Sequence, residues 1–265
     1  MRKAVALAAL SVAVLAAPMS AQVSAGDEFT WSVRVPAGQW LHLRNINGDV
    51  TVDRAAGAEI EVVATKRARR NGDASRVRIE ASKIAEGALV CAVWGEETTC
   101  DVKGYHNRNR GRSNNNNGNV EVDFIVKLPA GVRANVSSVN GAVRVMGATA
   151  EVIAETVNGD VDAATAMGPV KASTVNGDIT VRMDALQGTE DLEFETVNGS
   201  VTAYVPANFQ GEVELETVNG SLSTDFPVTI QGRFNRRHMR ATIGAGGRSL
   251  KLATVNGNVR LGKRP

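Results

Sequence analysis

Thr156-Val157-Asn158-Gly159-Asp160-Val161 is the stretch that decides the fold, because its text recurs along the chain. Thr-Val-Asn-Gly occurs five times and Ser-Val-Asn-Gly once, and Asn45-Ile46-Asn47-Gly48 is a degenerate copy of the motif. From Asn140 onward, successive copies of the asparagine are 18, 18, 22, 21 and 37 residues apart. Such a period indicates a repeat architecture. The recurring pairs are Asn47-Gly48, Asn140-Gly141, Asn158-Gly159, Asn176-Gly177, Asn198-Gly199, Asn219-Gly220 and Asn256-Gly257.

The residues that flank each pair alternate between apolar and polar. Around Asn158 the apolar residues are Val152, Ala154, Val161 and Ala163, and the positions between them are mostly charged or polar. Alternation on both sides of a fixed turn predicts strand, corner, strand with one buried face. Glycine adopts positive φ without steric cost and asparagine tolerates it, so the Asn-Gly pairs are interpreted as structural corners.

Two all-β architectures fit this pattern. In a β-solenoid each copy is one coil of about 18–22 residues, and equivalent residues stack about 4.8 Å apart along the axis. In an antiparallel meander or sandwich, each Asn-Gly is instead a two-residue hairpin turn. We favour the solenoid, because it explains the similar coil lengths and the constant asparagine, whose side chains can stack as a ladder. The direction of strand pairing separates the two.

A second motif marks a larger unit. Pro36-Ala37-Gly38 begins 11 residues before Asn47, and Pro129-Ala130-Gly131 begins 11 residues before Asn140. Pro206-Ala207 is a looser third copy. The N-terminal part is therefore expected to be the same scaffold, interrupted by insertions.

The N-terminus predicts export. Arg2 and Lys3 precede a short apolar run that ends in small residues, which is the pattern of a secretory signal peptide over residues 1–21. The run is short for a membrane-spanning helix of about 20 apolar residues. We therefore expect a periplasmic, outer-surface or secreted protein with no transmembrane segment in the mature chain.

The domain organisation follows from the two motifs and the signal. Residues 22–118 are expected to be an N-terminal β region with insertions, including a flexible, basic and asparagine-rich loop at 103–118. Residues 119–265 are expected to be a cleaner β-repeat array, continuous with that region.

The charge balance argues against nucleic-acid binding. The chain has 30 Lys and Arg against 28 Asp and Glu, and cleavage at residue 21 removes two basic residues, leaving 28 of each. Affinity for nucleic acid depends on excess positive charge. No specific nucleic-acid partner is expected.

Cys91 and Cys100 are the two cysteines. They lie in strand-like runs on either side of Gly95-Glu96-Glu97, and exported proteins meet an oxidising compartment. We predict a disulfide across a hairpin. A metal site would need more ligands nearby than His106 supplies.

These residues resemble the bacterial putative-adhesin family of β-strand repeats, an exported domain of unknown function. The resemblance rests on the Thr-Val-Asn-Gly series, on Leu-Pro-Ala-Gly at 128–131, and on the glycine-rich stretch 243–247 before the last copy. It spans most of the mature chain. It implies an all-β repeat fold outside the cytoplasm and supplies no catalytic residues.

Two sets of acidic residues are candidates for chemistry. Glu193 and Glu195 lie two apart on one strand face, about 7 Å from each other, within the range of an inverting glycosidase pair. Asp49, Asp160 and Asp178 follow Asn-Gly and would suit a calcium ladder, but other copies lack the acid. Solvated surface charge is the alternative explanation for both sets. We predict no catalytic residue, cofactor or metal.

Three basic clusters are candidate polyanion contacts, provided that they converge in space. The alternative is that they are solvated loops. The clusters are residues 66–70, 103–112 and 233–240, and the arginines predicted to make the contacts are Arg67, Arg69, Arg70, Arg108, Arg110, Arg236 and Arg237.

The predicted function is a non-enzymatic exported scaffold, an adhesin or envelope-binding protein whose partner is an envelope glycan or a cell-surface protein. One alternative is a polysaccharide-active enzyme on the solenoid. Another is a purely structural or stress-response component of the envelope.

Overall fold

The computed structural model describes residues 28–69, 72–107, 119–230 and 235–264. The predicted signal peptide and residues 108–118 of the basic loop lie outside the described residues. Within them, one short 3-10 helix, Ala74–Arg76, accompanies 23 β strands, numbered here in chain order. No helix in this part of the chain is long and apolar enough to cross a membrane.

Ten strands form the first sheet. Their order across the sheet is β1 (Glu28–Val33), β4 (Ile60–Ala68), β9 (Val120–Leu128), β3 (Val50–Arg54), β11 (Val143–Ala148), β13 (Val161–Thr165), β15 (Ile179–Met183), β17 (Val201–Val205), β23 (Val259–Lys263) and β19 (Leu222–Thr224).

Eleven strands form the second sheet. Their order is β20 (Thr229–Ile230), β21 (His238–Ile243), β18 (Gly211–Asn219), β22 (Ser249–Asn256), β16 (Leu192–Glu195), β14 (Val170–Ser173), β12 (Val152–Glu155), β10 (Arg133–Ser137), β2 (Trp40–Arg44), β6 (Gly87–Trp94) and β5 (Val77–Ile84). A separate two-stranded sheet contains β7 (Thr98–Asp101) and β8 (Gly104–Asn107).

The repeats form a parallel solenoid, as predicted. Equivalent residues of successive copies pair in parallel, for example Val152 with Val170 in the second sheet and Val161 with Ile179 in the first. Parallel neighbours cannot be joined by a two-residue hairpin. Each Asn-Gly therefore carries the chain from the second sheet to the first, and the antiparallel meander is excluded for the repeats.

The core lies between the two sheets and is built from the apolar columns of the repeat. Val152, Ala154, Val161 and Ala163 of one copy are all buried, as are their equivalents in the other central copies. In β19 the equivalents are Leu222 and Thr224, which are partly exposed because β19 is the edge strand of the first sheet.

The coils do not stack in chain order. The last coil, β22 and β23, lies between β16 and β18 in the second sheet and between β17 and β19 in the first. The chain therefore forms β18 and β19 first, one coil further out, and then returns to place β22 and β23 between them and the preceding coil. The 37-residue spacing after Asn219 reflects this detour, although the spacing alone does not reveal the order.

Antiparallel strands close three of the four ends of the two sheets. β1 and β4 end the first sheet on the N-terminal side, since β4 pairs antiparallel with both β1 and β9. β5 ends the second sheet there, and β20 and β21 end it on the C-terminal side. Strands of 22–118 and 119–265 lie side by side in both sheets, as Leu41 with Ala134 and Val50 with Val143 show.

The Cys91–Cys100 disulfide is present, but the hairpin predicted around it is wrong. Strand β6, which carries Cys91, is already paired on both edges, by β2 and by β5. With no free edge on β6, β7 pairs with β8 instead. The disulfide thus ties the small β7–β8 hairpin to the second sheet.

Candidate functional site

The asparagines of the corners form one hydrogen-bonded ladder along the stack. Asn176 Nδ2 donates to Asn158 Oδ1 at 2.8 Å, and each neighbouring pair repeats this bond at 2.7–2.8 Å. In donor-to-acceptor order the ladder runs through Asn219, Asn256, Asn198, Asn176, Asn158, Asn140 and Asn47.

A second ladder lies beneath the first. The Oγ1 of Thr174 donates to the carbonyl oxygen of Gly159 in the preceding coil at 3.0 Å. The other four threonines of the motif, and Ser138, make the same bond at 2.8–3.0 Å. All are buried. They satisfy partly buried backbone oxygens, which is a strong requirement inside a protein.

Glycine is needed in the corners chiefly because neighbouring coils approach closely. A Cβ placed on Gly177 would lie 2.0 Å from the carbonyl oxygen of Gly159. The φ of Gly177 is +157°, close to extended backbone, so positive φ is the lesser part of the requirement. The backbone approach is the tighter constraint, because a methyl group cannot fit there.

The valine of the motif points outward and forms an exposed row, which we call the valine row: Val157, Val175, Val197, Val255 and Val218. Their exposed fractions are 38–47%. The row lies beside the asparagine ladder, along one long edge of the stack. On the side of the second sheet it borders a groove of about 440 Å³ that also contains Glu195, Glu216 and Lys251.

The valine row is not among the features predicted from the sequence, although the sequence contains a signal for it. Period-2 alternation places the residue next to a buried one on the opposite face. Thr174 is buried, so Val175 had to face outward. The constancy of the motif is also compatible with a purely structural role for all four residues, so it does not single out the valine.

The carboxylates of Glu193 and Glu195 do not stand free. Lys251, on the adjacent strand β22, places its Nζ 3.5 Å from Glu193 Oε1 and also bonds Glu195 Oε1. The bond to Glu195 is the main cause that raises the pKa of Lys251. A lysine shared between two carboxylates forms an ion-pair cluster on the outer face of the second sheet.

The aspartates that follow Asn-Gly accept backbone hydrogen bonds from the adjacent coil. Asp160 Oδ1 accepts the backbone N–H of Asp178 at 2.9 Å, and Asp178 Oδ1 accepts that of Ser200 at 2.7 Å. Asp49 does the same for Ala142 at 2.8 Å. Across the described ranges, no group of three or more His, Cys, Asp or Glu is arranged to hold a metal.

The described basic clusters lie at opposite ends of the stack. Arg67 and Arg69 are at the N-terminal end, where they pair with Asp123 and Glu121 at 2.8 Å. Arg236 and Arg237 precede β21 at the C-terminal end. These four do not form one patch. Arg70, Arg108 and Arg110 lie outside the described residues, so the polyanion contacts stay a prediction.

The disulfide-linked hairpin covers a buried arginine. Arg44 Nη2 donates to the carbonyl oxygen of Val102 at 2.7 Å, and its Nη1 donates to Asn135 Oδ1 at 2.8 Å. The hydroxyl of Tyr105 lies 2.7 Å from the carbonyl oxygen of Ala92. Burial lowers the pKa of Arg44 and raises that of Tyr105. The hairpin is therefore tied to the second sheet by polar contacts as well as by the disulfide.

Comparison with known proteins assigns the chain to a family. No curated protein matches it at a significant level. The solved structure of a putative cell adhesion protein from Clostridium sporogenes is 8% identical, covers 89% of this chain and 99% of its own, and has a TM-score of 0.48. A putative adhesin from Bacteroides fragilis is 9% identical, with 89% and 97% coverage and a TM-score of 0.34. The family model described as Toastrack DUF4097 matches residues 11–262, and the chain belongs to that family.

Proposed function

We propose that the protein is an exported, non-catalytic scaffold that binds a partner at the cell envelope through the valine row. The observation that carries this proposal is that the row is constant between coils and yet exposed. The outer residues of the flanking strands vary from coil to coil: Ile153, Lys171 and Glu193 are equivalent and all differ. The valines do not vary, although each is more than a third exposed.

The architecture supports a binding role because it holds the row straight. Asparagine and threonine ladders on either side of the valines fix the position of every coil against the next. A surface that is already ordered loses little side-chain entropy on binding. Valine is itself stiff at χ1, which adds to this preorganisation.

The chemistry of the row favours a cell-surface protein over a glycan. An apolar centre with a polar rim is typical of protein–protein interfaces, and contiguous exposed apolar patches mark such sites. Here the rim consists of the asparagine ladder on one side and residues such as Glu195 and Glu216 on the other.

Export is supported by two features. Residues 1–21 have the pattern of a secretory signal. The Cys91–Cys100 disulfide is stable in an oxidising compartment and rare in the cytosol.

The test compares whole-cell binding of three purified mature proteins: the natural sequence, Val175→Thr/Val197→Thr, and the control Ile125→Thr. Threonine keeps the β-branched shape and removes the apolar contact. Ile125 is 50% exposed but lies on the outer face of the first sheet, away from the row. The expected result is that the double variant loses at least about tenfold in affinity while the control binds normally.

Three outcomes contradict the proposal. No binding to cells at any salt concentration would favour a purely structural component. Equal losses of affinity in the double variant and the control would show that the partner does not bind at the valine row. Binding to purified envelope glycan, together with binding to cells from which surface protein has been removed, would show that the partner is a glycan and not a protein.

A further inference from the structure

We infer that a groove at the opposite edge of the stack binds an anionic amphiphile, a single acyl chain that carries a carboxylate or a phosphate at one end. The groove, called here the Pro-Ala groove, is an open surface depression of about 540 Å³ at the N-terminal end of the sandwich, and most of the residues that line it are exposed. This inference is independent of the valine row, because the two surfaces lie on opposite long edges.

The repeated Pro-Ala-Gly motif builds the wall of the groove. Where β2 and β10 begin side by side, the two turns stack, and the N–H of Gly38 donates to the carbonyl oxygen of Gly131 at 2.8 Å. A Cβ on Gly131 would lie 2.9 Å from that of Ala37, so the turns are in contact. The wall lined by Pro36, Ala37, Pro129 and Ala130 is therefore apolar and firmly held.

Two cations stand at this apolar wall. Lys83 is in the same alternating register as Val77 and Ile79 on β5, but it lies near the end of the strand, where it is exposed at the mouth of the groove. Arg34 directly follows β1 on the other side of the groove. Neither side chain bonds any residue that the structure describes, and no carboxylate lines the groove.

The combination fixes the chemical class of the ligand. Apolar walls with a few placed polar groups are typical of small-molecule sites, and the volume lies in their usual range. A lysine and an arginine together favour an oxyanion, which accepts short charge-assisted hydrogen bonds from both. A neutral ligand would make no ionic contact with the two exposed cations, and a small anion would leave the apolar wall unused.

A structural explanation of Lys83 also exists. β5 is an edge strand, and an inward-pointing charge on an edge strand prevents other strands from adding to it. That explanation predicts a change in self-association on removal of the charge and no ligand binding, so the two are separable by experiment.

The experiment is calorimetric titration of the purified mature protein with decanoate, decyl phosphate, decyl maltoside and acetate, all below micelle-forming concentrations. We expect one molecule of decanoate or decyl phosphate to bind, and decyl maltoside and acetate to bind at least about tenfold more weakly. Comparing decanoate with decyl phosphate distinguishes a fatty-acid head group from a phosphate one.

Variants locate the site. Lys83→Gln and Arg34→Gln should each weaken decanoate binding about tenfold, and Ala130→Leu should block the groove. Lys171→Gln is the matched control, since Lys171 is an exposed lysine on the outer face of the second sheet without a described partner. Thermal melting checks that each variant is folded.

Several results would overturn the inference. The first is that neither decanoate nor decyl phosphate binds. The second is that decyl maltoside binds with the same affinity as they do. The third is that Lys171→Gln weakens decanoate binding as much as Lys83→Gln does. A Lys83→Gln protein that self-associates in sedimentation and still binds decanoate normally would assign Lys83 to edge protection.

Discussion

Thr174 donates its hydroxyl proton to the carbonyl oxygen of Gly159, one coil earlier, over 3.0 Å. The bond joins the motif of one coil to the motif of the coil before it, rather than closing its own turn. Since the same bond recurs at every threonine of the series, the motif is a device that locks neighbouring coils. The valine between threonine and asparagine is the member of the motif that is exposed to solvent.

Thr174→Val should lower the free energy of unfolding by about 1–2 kcal/mol, because the partly buried Gly159 oxygen then loses its side-chain donor. Urea unfolding measures the change. Thr180→Val is the control: Thr180 lies on the partly exposed outer face of β15, and its replacement should cost less than about 0.5 kcal/mol. Equal effects of the two substitutions would refute the ladder.

Gly177→Ala should lower the free energy of unfolding by about 3 kcal/mol or more, since the added methyl meets a backbone oxygen that cannot move without separating the coils. The matched control is Gly57→Ala, where a Cβ meets nothing within 4 Å. An unchanged melting temperature for Gly177→Ala would show that the coils do not approach as closely as described.

Replacing both Cys91 and Cys100 with alanine should lower the free energy of unfolding by about 2 kcal/mol, because the β7–β8 hairpin loses its covalent tie. Chemical denaturation with and without reductant measures the effect, and reductant should change only the natural protein. Two titratable thiols in the protein recovered from the exported fraction would contradict the disulfide.

Stability should fall as the pH drops from about 7.5 to about 5.5, because the pKa of His42 is lowered, first by burial and then by Arg44. The unfolded chain binds a proton near the ordinary pKa of about 6.5 that the folded chain does not bind, so acid favours unfolding. Among the described residues, neither ring nitrogen of His42 has a hydrogen-bond partner, and its Nε2 lies 3.8 Å from Glu86 Oε2, whose charge opposes the lowering of the pKa without reversing it.

His42→Leu therefore should flatten this pH dependence and raise stability at pH 5.5. Urea midpoints of the natural protein and the variant at the two pH values measure it. The same pH dependence in both proteins would show that groups other than His42 are responsible.

The repeat made much of the fold predictable. Columns such as Val152 and Val161 specify two strands and a buried face, and the constant Asn158 specifies a corner. Two features were beyond reach. The insertion of the last coil before Asn219 could not be predicted, since the motif has the same text in every coil and fits any neighbour equally well. The pairing of β7 with β8 depends on β6 having no free edge. That condition is set by the tertiary structure and cannot be read from the local sequence.

The candidate site was predictable only in part. The alternation that placed Thr174 inside also placed Val175 outside, so the valine row could have been found from the sequence. The Pro-Ala motif was visible, but its groove forms only where two turns that are distant in sequence stack side by side. Glu193 and Glu195 share Lys251 as their ion-pair partner. Lys251 lies on a strand far along the chain, and no local pattern predicts that contact.

The most direct test of the valine row is photo-crosslinking in the living cell. A photoreactive residue is placed at Val197, and in a second strain at Ile125 as an equally accessible control. The row predicts a discrete crosslinked protein adduct from position 197 and none from position 125. An adduct from position 125 alone, or equal adducts from both positions, would contradict the account.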